Sequence, residues 1–249
     1  MKRRREMNTV QLNIQQIKNH IRKCEIRYHR PPSSVSLLAV SKKQSVEKIR
    51  EAIRAGQIAF GESYLQESLE KIAALLDEKI EWHFIGSVQS NKTKKIAEHF
   101  AWVHSISDAK IAKRLSEQRP LHLPPLNICL QINNSLEHTK SGIDPAHVLS
   151  LAEYCNILPH LKLRGLMCIP AAKNTFDEQR AEFHQLRLIF DNLIEKGFKL
   201  DTLSMGMSSD IDAAIAEGST IVRIGTAIFG KRNNGDGMAT NSKSDLRGR

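Results

Sequence analysis

The sequence predicts an α/β fold, a single (β/α)8 barrel of the TIM type with an extra helix in front. Short apolar or β-branched runs alternate eight times with longer amphipathic stretches, and 249 residues are the usual length of one such barrel. No series of hairpin turns separates the strands, which predicts parallel strands joined by helical crossovers. An open doubly wound sheet gives the same alternation, but eight repeats favour the closed barrel.

The elements follow from apolar periodicity and from capping residues. A leading helix is predicted over about residues 10–28, and Pro31 and Pro32 interrupt the chain after it. The next helix begins at Ser45 and ends at Gly56, and Asp144 before Pro145 marks a later helix start. The strands are predicted at residues 35–40, 58–60, 82–85, 102–106, 126–132, 163–169, 202–205 and 221–224.

The composition is that of a soluble globular chain, with 41% hydrophobic and 26% charged residues. No apolar run reaches the roughly 18 residues of a membrane helix, and no signal-peptide apolar segment follows the N-terminus, so a cytoplasmic protein without a membrane partner is expected. Cys24, Cys129, Cys155 and Cys168 form neither a CxxC pair nor a Cys/His metal spacing. We therefore expect reduced, structural cysteines and no metal site.

The net charge of +10 is concentrated at the two ends, since residues 1–6 and residues 231–249 each carry +3. Terminal charge clusters are usually solvated, and no nucleic-acid reading motif accompanies them, so no nucleic-acid partner is expected. Binding of nucleic acid through the basic ends stays an alternative. Residues 1–8 are predicted to be a basic extension, 9–232 the barrel domain, and 233–249 a disordered polar tail.

The functional site of such a barrel lies where the strands end and the following loops begin. Lys42 follows the first strand directly, where burial favours a neutral amine that attacks an aldehyde to form an imine. The alternative, an ordinary solvated loop lysine, is the commoner case for this residue type. The pattern around Lys42 alone leaves both interpretations open.

The loops after the seventh and eighth strands indicate a phosphate site. Gly206 and Ser208 precede a predicted helix start, and Gly225 with Thr226 offers close backbone approach and a hydroxyl. Small residues in these loops also serve simply as turn formers. Arg223 lies two residues before Gly225 on the same strand face, where a buried cation needs an acceptor. That acceptor is either the ring nitrogen of a ligand or a carboxylate, Glu62 or Asp212.

Seven separated motifs together resemble the pyridoxal phosphate homeostasis proteins, which are single-domain relatives of the alanine racemase N-terminal barrel. The resemblance covers about residues 10–231. The motifs are AVSK at 39–42, FGESYLQE at 60–67, WHFIGSVQSNK at 82–92, KSGI at 140–143, RGLM at 164–167, LSMGMS at 203–208 and VRIGTAIFG at 222–230.

The resemblance implies a fold-type-III barrel that binds pyridoxal 5′-phosphate (PLP) as a Schiff base on Lys42. Arg223 would face the pyridine nitrogen, and Lys140 would be the second lysine near the cofactor. Ser63 stands where asparagine is more usual, which puts any contact from that position to the ring in doubt. The cofactor-binding residues that the resemblance implies are Lys42, Ser63, His83, Lys140, Met167, Ser204, Met205, Ser208, Arg223, Gly225 and Thr226.

The resemblance also argues against an enzyme. Alanine racemases add a β-domain with a catalytic tyrosine opposite the lysine, whereas this sequence ends in a polar tail soon after the eighth strand. The expected function is to hold PLP for vitamin B6 and amino-acid homeostasis, without catalytic residues of its own. Apo-PLP enzymes are the expected recipients and a monomer the expected state. The alternative is a PLP-dependent amino-acid racemase or a related enzyme.

Overall fold

A computed structural model describes residues 9–133 and 141–230 of the chain. Within these ranges, eight parallel strands close into a barrel in sequence order, with β1 paired to β8, which confirms the predicted fold class. The strands are β1 (Ser36–Val40), β2 (Ala59–Glu62), β3 (Glu81–Phe84), β4 (Trp102–Ile106), β5 (Leu126–Ile132), β6 (Leu161–Cys168), β7 (Thr202–Ser204) and β8 (Ile221–Ile224).

Helices surround the barrel and connect its strands. They are α1 (Thr9–Arg27), α2 (Val46–Arg54), α3 (Leu65–Ala74), α4 (Thr93–His99), α5 (Ala109–Gln118), α6 (Val148–Asn156), α7 (Phe176–Glu195), α8 (Ile211–Ala216) and α9 (Thr226–Phe229). Two differences from the sequence prediction bear on the site. β2 runs on to Glu62 because Gly61 and Glu62 still pair with β3, and α9 follows β8 as an unpredicted short helix.

The main hydrophobic core lies between the sheet and the surrounding helices, as expected where helices cover a parallel sheet. A second, small apolar cluster consists of Trp102, Cys129 and Met167. Several buried strand residues are polar instead, among them His83, His104, Ser204 and Arg223. Polar groups buried this deeply need hydrogen-bond partners, and the partners of these four define part of the candidate site.

The four cysteines, which were predicted to be reduced and structural, are free, buried thiols in the described chain. The described helices include none that is long and apolar enough to cross a membrane. The predicted basic extension, the predicted polar tail and Lys140 all lie outside the described residues, so these three expectations stay predictions.

Candidate functional site

Lys42 lies two residues beyond the end of β1, at the carboxyl-terminal mouth of the barrel. Its half-buried amine donates a long hydrogen bond of 3.4 Å to Ser63 Oγ, which follows β2. Gly86, in the loop after β3, presses so closely on Ser63 that a Cβ would meet Ser63 O at 2.3 Å. Gly225, after β8, lies against Val40, where a Cβ would be 3.2 Å from the Val40 carbonyl. Four strand ends therefore converge around Lys42.

The backbone on both sides of Lys42 is held by a buried ion-pair network. The ammonium of Lys71, on α3, donates to the Ser41 carbonyl at 2.7 Å and to Glu62 Oε1 at 2.9 Å, and it also pairs with Glu67. Glu67 in turn accepts the backbone N–H of Lys43. The carbonyl before Lys42 and the amide after it are thus fixed to the same helix. This network limits the movement of the Lys42 backbone.

The ion pair at the centre of this network is almost dry, since the Lys71 side chain is 6% exposed and that of Glu62 is fully buried. Burial raises the pKa of Glu62 above its usual range, and the adjacent Lys71 ammonium opposes that shift. Ser41 Oγ donates to the same Glu62 oxygen at 2.6 Å, while the other oxygen has no hydrogen-bond partner. Lys71 therefore provides most of the interaction that offsets the cost of burying the Glu62 charge.

A second polar chain runs through the barrel from its amino-terminal end. Glu81 Oε1 lies 2.8 Å from His83 Nε2, and His83 Nδ1 lies 2.8 Å from His104 Nε2. His104 Nδ1 lies 2.8 Å from Ser204 Oγ, which accepts from the Arg223 guanidinium at 2.9 Å. Four hydrogen bonds thus connect Glu81, at the far end of β3, to Arg223 in β8.

The two ends of this chain fix the direction of every hydrogen bond in it. The guanidinium can only donate and the carboxylate can only accept. Each neutral residue between them therefore accepts one hydrogen bond and donates one. Ser204 then donates to His104 Nδ1, and each histidine donates from Nε2. Burial lowers the pKa of both His83 and His104, in agreement with two neutral rings. The Ser204 proton is committed to His104 rather than to a ligand at the mouth.

Arg223 is buried and bound to three backbone and side-chain acceptors. One nitrogen donates to the carbonyl and the hydroxyl of Ser204, and another donates to the Cys168 carbonyl at 2.7 Å. The two carboxylate partners considered from the sequence are engaged elsewhere, since Glu62 pairs with Lys71 and Asp212 with His20. The ion-pair alternative for Arg223 is therefore wrong, and the guanidinium is held by neutral acceptors beneath the mouth.

The loops after β7 and β8 are joined to each other and to α8. The Arg223 N–H donates to the Gly206 carbonyl at 2.9 Å. Gly206 has φ +96° and packs so tightly on α8 that a Cβ would meet the Ala214 Cβ at 2.5 Å, so only glycine fits there. Both loops lead into a helix start, at Ile211 and Thr226, where first-turn N–H groups have no partner within the helix. Such groups suit an anion.

The structure separates the predicted cofactor residues into layers. Lys42, Ser63 and Gly225 meet at the mouth, and Ser208 and Thr226 are exposed on the loops after β7 and β8. Below the mouth, buried in strands, are His83, Met167, Ser204 and Arg223. The side chain of Met205 belongs to the main hydrophobic core.

Sequence reasoning missed His104, Glu81 and Lys71. Two histidines in neighbouring strands that read as fully buried were a usable signal, because a buried imidazole needs partners on both nitrogens. Lys71 carried no such signal, since it sits in an amphipathic helix among charged residues and reads as solvent-exposed. Its burial depends on the distance between α3 and the loop after β1, which the sequence does not reveal.

Two cavities open at opposite ends of the barrel. One of about 580 Å³ lies at the amino-terminal end, and Glu81, His83 and Trp102 are among its lining residues. The other, of about 440 Å³, lies on the mouth side between the loops after β3, β4 and β5. The hydrogen-bonded chain therefore begins at the amino-terminal cavity and ends at Arg223, beneath the mouth.

The two buried histidines are expected to lower the free energy of unfolding as the pH falls. An unfolded imidazole takes up a proton near pH 6.5, while burial lowers the pKa of both His83 and His104 in the folded chain, so they take up protons only at lower pH. The unfolded state then binds more protons, so the free energy of unfolding falls as pH drops below about 7, by at most about 2.7 kcal/mol per pH unit for two sites. Urea unfolding between pH 7 and 5.5 measures this slope.

His104→Gln should flatten the slope because it removes one of the two buried imidazoles, whereas the exposed-site variant His99→Gln should not. A slope unchanged by His104→Gln would contradict the assignment.

Comparison with known proteins places the chain in a family. The family described as alanine racemase, N-terminal domain, matches residues 10–233. The pyridoxal phosphate homeostasis protein of Vibrio alginolyticus is 51% identical over 91% of this chain and 99% of its own length. That of Escherichia coli K12 is 48% identical over 91% of this chain and 98% of its own length. The chain belongs to the pyridoxal phosphate homeostasis protein family.

Solved structures agree with this family and with the fold. PipY of Synechococcus elongatus PCC7942, in a structure with PLP bound, is 36% identical with a TM-score of 0.78, covering 89% of this chain and all of PipY. The alanine racemase of Corynebacterium glutamicum is 18% identical with a TM-score of 0.61, and the match covers 86% of this chain and 60% of the racemase. The likeness to the racemase concerns the barrel fold alone.

Proposed function

We propose that this chain binds PLP as a Schiff base on Lys42, and that it takes part in intracellular vitamin B6 and amino-acid homeostasis without substantial catalysis. The observation that carries the proposal is the half-buried Lys42 amine at the barrel mouth, beside Ser63 and after the strand that pairs with the strand of the buried Arg223. Homologues of about 50% identity named for PLP homeostasis, and PLP-bound PipY, support it.

The residues present fit the three chemical parts of PLP. A primary amine at the mouth suits the aldehyde, which condenses with it and releases water. The backbone N–H groups that begin α8 and α9, with the Ser208 and Thr226 hydroxyls, suit the phosphate. The Arg223 guanidinium suits the pyridine nitrogen. Because its hydroxyl proton goes to His104, Ser204 acts in this proposal through Arg223, which it orients with both its hydroxyl and its carbonyl.

The polar chain beneath the mouth supports cofactor retention over catalysis. PLP supplies an electron sink for amino-acid chemistry, and that sink is strongest when the ring nitrogen is protonated. A guanidinium stays protonated in proteins and donates its hydrogen bond, so Arg223 would leave the ring nitrogen without a proton. The hydrogen bonds of Arg223 to Ser204 and Cys168 hold it in place for this role.

The surroundings of the three tyrosines bear on whether the site is of the racemase type. Tyr28 stacks on Phe176 with ring centroids 6.2 Å apart, and Tyr154 lies in the outer helix α6. Tyr64 is exposed, with the Lys43 ammonium 5.8 Å from its ring centre. Racemisation needs an acid and a base on opposite faces of the substrate carbon, and the stacking of Tyr28 and the outer position of Tyr154 support the proposal that these two do not act as the second group. In this proposal the chain stores PLP in the cytoplasm and delivers it to apo-enzymes.

The experiment is a titration of the purified chain with PLP, followed by exposure of the loaded protein to single L- and D-amino acids. We expect one equivalent of PLP to produce the yellow absorption of a lysine Schiff base, and we expect no amino acid to be racemised or decarboxylated in steady state. An apo-PLP enzyme added afterwards should regain activity, and the chain separated from it again should have lost its yellow absorption.

Three results would count against the proposal in different ways. Absence of the yellow absorption would show that PLP does not form a Schiff base with a lysine of this chain. Steady turnover of any amino acid, lost in Lys42→Ala, would favour the racemase-type enzyme. Failure of the loaded chain to reactivate an apo-enzyme would remove the delivery role and leave the binding role intact.

A further inference from the structure

Three side chains that are good ligands for a transition metal meet outside the candidate cofactor site. His20 and Cys24 are four residues apart on one face of α1, and Asp212 is in the first turn of α8. One imidazole nitrogen, the thiol sulfur and one carboxylate oxygen lie within 4.8 Å of one another. Both helices lie on the outside of the barrel, so this cluster joins the extra N-terminal helix to the barrel proper.

The contacts converge on one point instead of forming a relay. Cys24 Sγ and Asp212 Oδ2 both lie near the same nitrogen of His20, at 3.6 and 2.7 Å. Cys24 Sγ also lies 3.4 Å from the other carboxylate oxygen, Asp212 Oδ1. A catalytic relay would use the two different nitrogens of the imidazole, one for each neighbour. Here a single nitrogen, a single sulfur and the carboxylate face a common centre.

The separations match the edges of a tetrahedral zinc site. With the bond lengths usual for Zn–S, Zn–N and Zn–O, ligand atoms around a tetrahedral ion are about 3.3 to 3.6 Å apart. The two distances from Cys24 Sγ, 3.6 and 3.4 Å, are already of that size. These two edges run from the sulfur to His20 Nε2 and to Asp212 Oδ1, whereas the 2.7 Å hydrogen bond of His20 goes to the other carboxylate oxygen, Oδ2, and has to open when the ion binds.

The ligand chemistry selects the ion. Thiolate and imidazole ligands suit Zn²⁺ and Co²⁺, whereas Mg²⁺ and Ca²⁺ prefer oxygen ligands throughout. A thiolate and a carboxylate together neutralise a divalent ion, and the thiol proton passes to solvent when the ion binds. Burial and the Asp212 carboxylate raise the pKa of the Cys24 thiol to about 12, so the ion has to displace the thiol proton, and nearby Arg27 opposes that shift only in part.

The exposure of the three side chains and the packing of their helices also suit a metal site. The side chains of His20 and Asp212 are 46% and 35% exposed, so an ion can reach the cluster from solvent, while Cys24 is buried behind them. Both helices pack directly on each other, so bringing the three ligands together needs no movement of an element. We propose that His20, Cys24 and Asp212 bind one Zn²⁺ ion, with solvent as the fourth ligand, and that this ion fastens α1 to α8.

The test uses the full-length, untagged chain, freed of metal, and Co²⁺ as a spectroscopic probe. We expect one equivalent of Co²⁺ to give a thiolate charge-transfer band and the intense visible bands of a tetrahedral site, and one equivalent of Zn²⁺ to remove them. Cys24→Ser and His20→Gln should each weaken Zn²⁺ binding at least about tenfold, the loss of one ligand-sized interaction of about 1.4 kcal/mol. The matched control is His184→Asn, because His184 also pairs with a carboxylate, Glu217, but has no thiol beside it.

A variant of the buried Cys24 could fail to fold, so the test also uses variants of His20 and Asp212, whose side chains are partly exposed. Asp212→Asn retains the size of the side chain and should also weaken Zn²⁺ binding. The proposal is overturned if Co²⁺ gives no thiolate band, if Zn²⁺ affinity is the same in His20→Gln and Asp212→Asn as in the parent chain, or if His184→Asn alone abolishes binding. Each of these readouts is independent of PLP, so they fail or succeed separately from the proposed function.

Discussion

Replacing Lys42 with alanine is expected to abolish the yellow absorption that PLP produces on the parent chain. The reason is chemical, since the Schiff base needs a primary amine at this place, and alanine supplies none. Lys42 is held beside Ser63 by a backbone fixed on both sides, at the Ser41 carbonyl and the Lys43 amide. A lysine elsewhere on the surface would lack this placement. Titration of the variant with PLP, followed by absorbance, measures the effect.

The matched control is the next residue, Lys43, which is exposed. Lys43→Ala keeps the backbone N–H that donates to Glu67 and keeps a Cβ at the same positive φ of 59°, so it removes only the amine. We expect this variant to retain the full absorption change. If Lys43→Ala loses the absorption and Lys42→Ala keeps it, the assignment of the reactive lysine is wrong.

Replacing Lys71 with methionine is expected to lower the free energy of unfolding by about 3–5 kcal/mol, the usual effect of removing one partner of a buried ion pair. Methionine fills similar space, but it leaves the buried Glu62 carboxylate with only the Ser41 hydroxyl as a partner. The Ser41 carbonyl loses its donor as well. Equilibrium urea unfolding of the parent and the variant measures the difference.

The control for this prediction is Lys95→Met, which breaks the exposed pair of Lys95 with Glu98. Exposed pairs contribute about 0–1 kcal/mol, so this variant should unfold near the parent midpoint. A second change, Glu62→Gln, should recover part of the stability of Lys71→Met because it removes the unpaired charge. Equal, small effects of Lys71→Met and Lys95→Met would contradict the account of the buried network.

Much of the fold was predictable because each strand and helix carries its own local pattern. Eight alternations and caps such as Ser45 and Asp144 were sufficient to predict the barrel, and Asp144 does cap a short 3₁₀ turn that leads into α6. The end of β2 was wrong by two residues, since Gly61 reads as a turn residue and only its pairing with His83 keeps it in the sheet. Strand pairing of this kind is a tertiary property that a local pattern does not contain.

The candidate site was predictable at its mouth and less so beneath it. Strand ends locate Lys42, Gly225 and Thr226 once the barrel is assumed. The role of Ser204 could not be derived, because its hydroxyl turns inward to His104, a partner 100 residues away in sequence. The proposed metal cluster was missed for the same reason. His20 and Cys24 are visible as a pair four apart, but Asp212 joins them only when α8 packs on α1.

The central claim, that Lys42 carries PLP, is tested most directly by borohydride reduction of the PLP-loaded chain followed by peptide mass analysis. Reduction converts a Schiff base into a stable amine, so the modified lysine can be located in a digest. The account predicts one pyridoxyl group per chain, on the peptide that contains Lys42, and none on other peptides above trace level. A pyridoxyl group found mainly on another lysine, or an unmodified Lys42 in a chain that has turned yellow, would contradict it.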